Sequence, residues 1–205
     1  MLSGKPFAAA SEENRTPILT VLETRFATAS RVLEIGGGTG QHAVFFAEQL
    51  PHLHWQCTDR AQNLPGIQQW IAEAALPNLP PPLQLDVTSE QDWPAGPFDA
   101  VFSANTAHIM SLREVKAMFV GVGRVLQAGG CFALYGPFSR DGRHNSPSNA
   151  MFDLQLRARD PESGVRDIRD LERIAAAAGL DLEEDCSMPV NNRTLIWRRR
   201  KGKHN

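Results

Sequence analysis

The chain is predicted to be an α/β protein with a doubly wound, mostly parallel, seven-stranded sheet that ends in a C-terminal antiparallel hairpin. Three observations predict it. Apolar strand-like runs alternate with helical stripes along most of the chain. A cluster of glycines, Gly36 to Gly38 with Gly40, stands where the first strand gives way to a helix. The last two strand-like runs, 180–188 and 194–199, are joined only by Pro189-Val-Asn-Asn-Arg193. That link has no room for a crossover helix, so the two strands pair antiparallel.

With 205 residues, one domain over 1–205 is expected, and a chain of that size buries a substantial core. A hydrophobic fraction of 42% and a charged fraction of 21% describe an ordinary globular composition. The net charge of −2 carries no footprint for nucleic acid or an anionic membrane surface. No apolar run is long enough to span a bilayer, and Met-Leu-Ser-Gly-Lys-Pro lacks the apolar core of a signal peptide. Cys57, Cys131 and Cys186 are odd in number and far apart, and read as reduced core residues of a cytoplasmic protein. No His/Cys cluster has metal-ligand spacing, so no metal is expected. The basic tail Arg198-Arg-Arg-Lys-Gly-Lys203 reads as solvated.

Ile18, Leu19, Leu22 and Phe26 fall on one helical face, so residues 1–28 hold a helix before the first strand. The polar stretch Ser11-Glu-Glu-Asn-Arg15 ahead of that face is either an exposed first turn or a lid over a ligand cleft. In the second reading Asn14 and Arg15 contact the ligand.

Arg31-Val-Leu-Glu-Ile35 is the first strand, and Ala43, Phe46, Ala47 and Leu50 mark the helix after the glycines. Glycines allow positive φ and close approach of a ligand, and unpaired N–H groups at the helix start favour a polar or anionic one. A dinucleotide fingerprint G-x-G-x-x-G starting at Gly36 needs glycine at 41, where this chain has Gln41. The pattern Glu34-x-Gly36-x-Gly38-x-Gly40 instead resembles motif I of the class I S-adenosylmethionine-dependent methyltransferases, a Rossmann-like fold. A glycine turn without a ligand is the competing reading.

Leu53 to Thr58 alternates as a second strand and ends at Asp59, 23 residues after Gly36. An acid at about 20 residues meets a ribose diol in nucleotide-binding α/β units, and the alternative is an Asp that starts a turn. Ile67, Trp70, Ile71 and Ala74 form a helical stripe, and 77–82 is a proline-rich loop. Leu83-Gln-Leu-Asp-Val87 is the third strand. The resemblance implies that Asp86 bonds the adenine amino group and that the Val87 N–H reads the ring.

Phe98 to Ala104 is a buried fourth strand running into Asn105-Thr-Ala-His108, where parallel strands gather their ligands. Ser111-x-x-Glu114 is a capping box opening a helix with Val115, Phe119, Val122 and Leu126, which Gly129-Gly130 closes. The fifth strand is Cys131 to Pro137. Residues 138–166 are a polar, turn-rich insertion with a short helix around Met151 to Leu156, long enough to suggest function as a cover for the cleft. A last helix begins at Asp167 and ends at Gly179.

Methyl transfer is an in-line displacement that asks mainly for positioning and, for some acceptors, a base. His108 is the candidate base, because imidazole titrates near neutral pH; a histidine packed against a helix is the alternative. Asn105 and Tyr135 end adjacent strands and would orient an acceptor, with Asn105 also within reach of the cofactor; the alternatives are a turn-forming Asn and a core Tyr. Asn149, Asp153 and Asn191 are further polar residues expected around the cleft. Arg15 or Arg166 would grip an anionic acceptor in a bidentate contact. The alternative is ordinary pairing, Arg15 with Glu12 and Arg166 with Asp170.

The chain also resembles the narrower family containing methyltransferase-like protein 26. The likeness runs from Ser11–Arg15 through Gly38-Thr-Gly-Gln-His42, Leu85-Asp-Val87, Asn105-Thr-Ala-His108, Tyr135-Gly-Pro137, Ser148-Asn149, Phe152-Asp153, Arg166-Asp167 and Asn191-Asn192. Gly37 stands where that family often has serine or alanine. The resemblance implies S-adenosylmethionine as cofactor and brings no established substrate. The expected activity is methyl transfer to a small-molecule acceptor, with no nucleic-acid or membrane partner. Two alternatives are a protein that binds S-adenosylmethionine or S-adenosylhomocysteine without transfer, and an NAD-dependent oxidoreductase, which Gln41 and the final hairpin disfavour.

Overall fold

The computed structural model describes residues 4–202; Met1–Ser3 at the amino end and Lys203 of the basic tail lie outside the described residues. In chain order the elements are α1 (Ala9–Arg25), β1 (Arg31–Ile35), α2 (Gln41–Gln49), β2 (His54–Asp59), α3 (Leu64–Ala74), β3 (Leu83–Gln84), β4 (Phe98–Ala104), α4 (Leu112–Val125) and β5 (Leu126–Gly136). There follow β6 (Phe138–Arg140), β7 (Arg143–His144), α5 (Pro147–Arg159), β8 (Arg166–Asp167), α6 (Ile168–Ala177), β9 (Leu180–Ser187) and β10 (Arg193–Arg199).

Seven strands form the main sheet in the order β3-β2-β1-β4-β5-β10-β9. β1 to β5 run parallel, while β10 inserts antiparallel between β5 and β9, as the short final link requires. The strand order reverses at β1, and the crevice there is where such sheets bind ligands. Side chains alternate across the sheet. Val32, Trp55, Phe102 and Ala133 pack under α1, α2 and α3, while Leu33, Val101, Phe132 and Trp197 pack against α4 and α6. The central strands β1 and β4 are covered on both faces, which explains their near-continuous apolar character.

The capping box is present as expected: the Glu114 N–H donates to Ser111 Oγ, and the Ser111 N–H donates back to Glu114. Asp167 likewise caps α6. Gly129-Gly130 does not close α4. The helix stops at Val125 and the chain passes directly into β5, which contains both glycines. Arg199 on β10 donates to the carbonyls of Arg124 and Leu126, so a tertiary neighbour satisfies the end of that helix. β3 is shorter than expected, because Asp86 turns its carboxylate onto the Thr88 N–H and hydroxyl, a local bond that competes with the ladder. The basic tail is not simply solvated: Arg198 pairs with Glu183 and Arg200 with Asp181 across the hairpin.

Residues 138–166 form α5 and a small second sheet, β7-β6-β8, whose strands are too short to leave a periodic trace. Among the described residues, no helix is long and apolar enough to cross a membrane.

Candidate active site

A cleft of about 1150 Å³ opens over the carboxyl ends of β1, β2, β4 and β5. This exceeds the roughly 300–1,000 Å³ of an ordinary single-ligand pocket.

Its floor is the glycine turn. The N–H groups of Gly36 and Gly37 both donate to the Thr58 carbonyl at 3.0 Å, and the Gly38 N–H donates to Asp59 Oδ2 at 2.7 Å. A Cβ at Gly36 would lie 2.5 Å from Thr106 Cγ2, and one at Gly37 would lie 2.3 Å from Cys57 Sγ. At Gly40 it would meet Ile67 and Trp70 at 3.1–3.3 Å. Gly40 therefore packs α2 against α3, and it does not line the cleft as a ligand contact. Gly38 alone faces open space, with φ +60 and nothing within 4 Å of an added Cβ. That is the point where a ligand can approach the backbone.

Glu34 does not reach the cleft either. Period two places it on the same face as Val32, beneath α2, where its carboxylate accepts from Trp55 Nε1 at 2.8 Å. Burial raises its pKa from 4.5 to about 7. The acid of the motif supports the turn from below.

Asp59 borders the cleft with both oxygens engaged: Oδ2 by Gly38, and Oδ1 by the Arg60 N–H at 2.6 Å and Asn63 Nδ2 at 2.9 Å. Arg60, beside it, is paired with Glu114. Leu85 and Val87 line the same end, whereas the Asp86 carboxylate is held by Thr88 and is absent from the lining, contrary to the role the resemblance implies.

On the other side of β1, Asn105 lines the cleft in a left-handed conformation, φ 58, with its N–H bonded to the Tyr135 carbonyl at 2.9 Å. Tyr135 points to the α1 face of the sheet, and its hydroxyl accepts from Asn192 Nδ2 at 2.9 Å and is also hydrogen-bonded to Asn14. Asn14 Oδ1 in turn meets His42 Nε2 at 2.7 Å. Asn14, His42, Tyr135 and Asn192 thus form a chain of hydrogen bonds along the cleft wall, all four lining it. His42 stacks on Phe46 with ring centroids 5.4 Å apart, and burial lowers its pKa from 6.5 to about 4. Sequence reasoning quoted His42 only within the glycine motif. Its place in the first turn after that motif, on the side facing the ligand, was the available signal.

His108 lines the cleft, buried, with its ring edge-on to Phe152 at 5.3 Å. Burial, and secondly the Arg166 charge, lower its pKa from 6.5 to about 4. It does not titrate near neutral pH as the free side chain would, so it stands in the cleft as a neutral imidazole.

The two arginines expected to hold an anionic acceptor are elsewhere. Arg15 pairs with Glu12 at 2.7 Å and lies over the Phe45 ring, outside the cleft lining. Arg166 donates to the backbone carbonyls of Ala107, Met110 and Glu162, bracing the loop after β4. Asp153 is also a structural partner, binding Arg157 and the Val165 N–H. From the insertion, Asn149 and Phe152 reach the cleft, and the β9–β10 link contributes Pro189, Val190 and Asn192. Asn191 braces that link through its carbonyl, which accepts from Asn145 and Asn149.

Solved structures share this architecture. An O-methyltransferase family protein from Burkholderia thailandensis superposes with a TM-score of 0.80 at 19% identity, covering 92% of this chain and 57% of its own. The S-adenosylmethionine-dependent methyltransferase SibL gives 0.79 at 24%, covering 94% and 56%. Human N-acetylserotonin methyltransferase, in complex with SAM, gives 0.78 at 13%, covering 94% and 53%. The chain spans a little over half the length of each, so the likeness is one of fold. Residues 5–199 match the family model described as "Protein of unknown function (DUF938)", and the chain belongs to that family.

Proposed function

We propose that this chain is an S-adenosylmethionine-dependent methyltransferase acting on a small molecule; of these, the resemblance to the methyltransferase-like protein 26 family implies only the cofactor. One observation carries the reading. Gly38 opens onto free space beside Asp59, in a cleft of about 1150 Å³, at the point where the strand order reverses. The residues there fit the cofactor: a backbone that a ligand can approach, a carboxylate with acceptor capacity left for a ribose hydroxyl, and apolar Leu85 and Val87 to flank an adenine.

When bound, S-adenosylmethionine supplies a methyl on a sulfonium, whose C–S electron pair stays on sulfur as an acceptor lone pair forms the new bond. The chain itself works by positioning. Asn105 and Tyr135 end β4 and β5 over the acceptor half and orient the incoming atom. His108, neutral, accepts a hydrogen bond; with so low a pKa it is too weak a base to hold a proton at neutral pH, and the acceptor's proton goes on to water. Residues 4–8 and the insertion serve as covers on opposite sides, since Pro6 and Ala8 line one wall while Asn149 and Phe152 line another.

Calorimetric titration with S-adenosylmethionine and S-adenosylhomocysteine tests the cofactor claim. Micromolar binding that Asp59→Ala weakens is expected; no binding of either by the folded wild type would overturn it.

A further inference from the structure

The acceptor half of the cleft differs in character from the cofactor half. Among the described residues, the charged side chains that line the cleft are Glu13, Asp59 and Arg60. Asp59 and Arg60 stand together at the end of β2, and Glu13 is exposed on α1 at the rim. Over β4, β5 and β10 the wall is instead built from Ile109, Met110, Pro137, Phe152, Pro189 and Val190. Ile109 is 59% exposed and Val190 79% exposed, so both apolar side chains stand free towards the opening.

The Pro189–Asn192 link holds this wall at a conformational cost. Val190 and Asn191 both occupy the left-handed region, at φ 57 and φ 61, and for β-branched valine that is a rare state. Asn145 and Asn149 hold the turn through the Asn191 carbonyl. Strain of this kind persists where the surroundings enforce it, and here it keeps an apolar side chain in the cleft wall.

The polar groups among these apolar ones are uncharged. Tyr135 Oη accepts an amide N–H from Asn192, and its own O–H is a donor. The Arg166 guanidinium, whose charge acts on His108, is turned onto backbone carbonyls. An ion placed here would lose its hydration without a direct ion-pair partner, which is costly.

We propose that the β4–β5 half of the cleft binds an uncharged, largely apolar molecule that presents one lone-pair-bearing atom to the Tyr135 hydroxyl. Resting on the methyltransferase reading, this molecule is the methyl acceptor, gripped by Phe152 and Val190. The anionic acceptor that Arg15 and Arg166 suggested finds neither guanidinium turned to it, since Arg15 pairs with Glu12 and Arg166 donates to backbone carbonyls.

Three matched probes test it by calorimetry at pH 7: 2-naphthol, 2-naphthoate and 2-naphthylmethylammonium, each added to protein with and without saturating S-adenosylhomocysteine. The neutral naphthol is expected to bind about tenfold tighter than either ion, since only the ions are desolvated without a partner. Phe152→Ala should weaken it about tenfold while leaving S-adenosylhomocysteine affinity unchanged. Val190→Asn is a second variant, on an exposed side chain and with a residue that tolerates the left-handed conformation; it should weaken naphthol about threefold. Failure of naphthol to bind, equal or tighter binding of the carboxylate, or indifference to both substitutions would overturn the proposal. Tighter binding of the ammonium would overturn it too, and would hand control to Glu13. The cofactor reading fails separately: if naphthol shows the expected pattern but S-adenosylhomocysteine does not bind, the subsite stands and the methyltransferase assignment falls.

Discussion

The N–H of Gly38 donates to Oδ2 of Asp59 at 2.7 Å, joining the most open residue of the glycine turn to the carboxylate at the end of β2. One side chain therefore shapes the turn and also lines the cleft. Asp59→Ala removes the acceptor for three N–H groups, those of Gly38, Arg60 and the Asn63 amide. Each lost bond costs on the order of 1 kcal/mol. The variant should melt several degrees lower and bind S-adenosylhomocysteine at least about tenfold more weakly. Differential scanning calorimetry and titration on the same sample check both; a variant matching wild type in affinity would remove Asp59 from the ligand site.

Gly37→Ala and Gly38→Ala should behave oppositely. At Gly37 the new methyl would lie 2.3 Å from Cys57 Sγ, an overpacking that costs about 1–3 kcal/mol. At Gly38 it meets no atom, so only the positive φ is penalised, by about 1 kcal/mol. The Gly38 methyl instead projects into the cleft. Urea unfolding should rank Gly37→Ala as the less stable, and ligand titration should rank Gly38→Ala as the weaker binder.

Glu34 sets a pH dependence. Its pKa rises from 4.5 to about 7 on folding, so the folded state holds a proton that the unfolded state has released. This contribution is fully present below pH 4.5 and is lost as pH rises through about 7, amounting to roughly 3 kcal/mol. Glu34→Gln cannot titrate and keeps a similar shape. The stability of the variant relative to wild type should therefore rise between pH 5 and pH 8, measured by urea unfolding at both. A difference that stays constant would mean Glu34 is ionised in the fold.

His42 and His108 act in the other direction. Both are lowered from 6.5 to about 4, so they stay neutral in the fold while the unfolded chain takes up protons. Their contribution is present above pH 6.5 and disappears as pH falls towards 4, roughly 3 kcal/mol for each. Imidazole resonances followed by NMR should show both midpoints near 4. A midpoint near 6.5 for His108 would restore it as a base at neutral pH.

Much of the fold was legible locally, because period and turn chemistry act within a few residues. The strand at Arg31–Ile35, the capping box of Ser111 and Glu114, the cap at Asp167 and the antiparallel hairpin are all read from neighbours in the chain. The fold class followed from those. Features that depend on a distant partner were not legible. Arg199 ends α4 from 73 residues away, at the Leu126 carbonyl, and β7-β6-β8 has strands too short for a pattern.

The same division holds at the cleft. By itself the sequence determined that a glycine turn, an acid after the second strand and polar residues after the fourth would meet at one edge of the sheet, since strand direction and order require it. Only the tertiary structure decided which of those side chains look inward. Glu34 is carried under α2 by the pleat, Gly40 is consumed by packing against α3, and Arg15 and Arg166 satisfy local partners. His42, Asn14, Tyr135 and Asn192 join across three elements and a loop into one hydrogen-bonded wall. Spacing in a sequence specifies where a backbone goes, whereas the orientation and charge of a buried side chain follow from whatever packs against it.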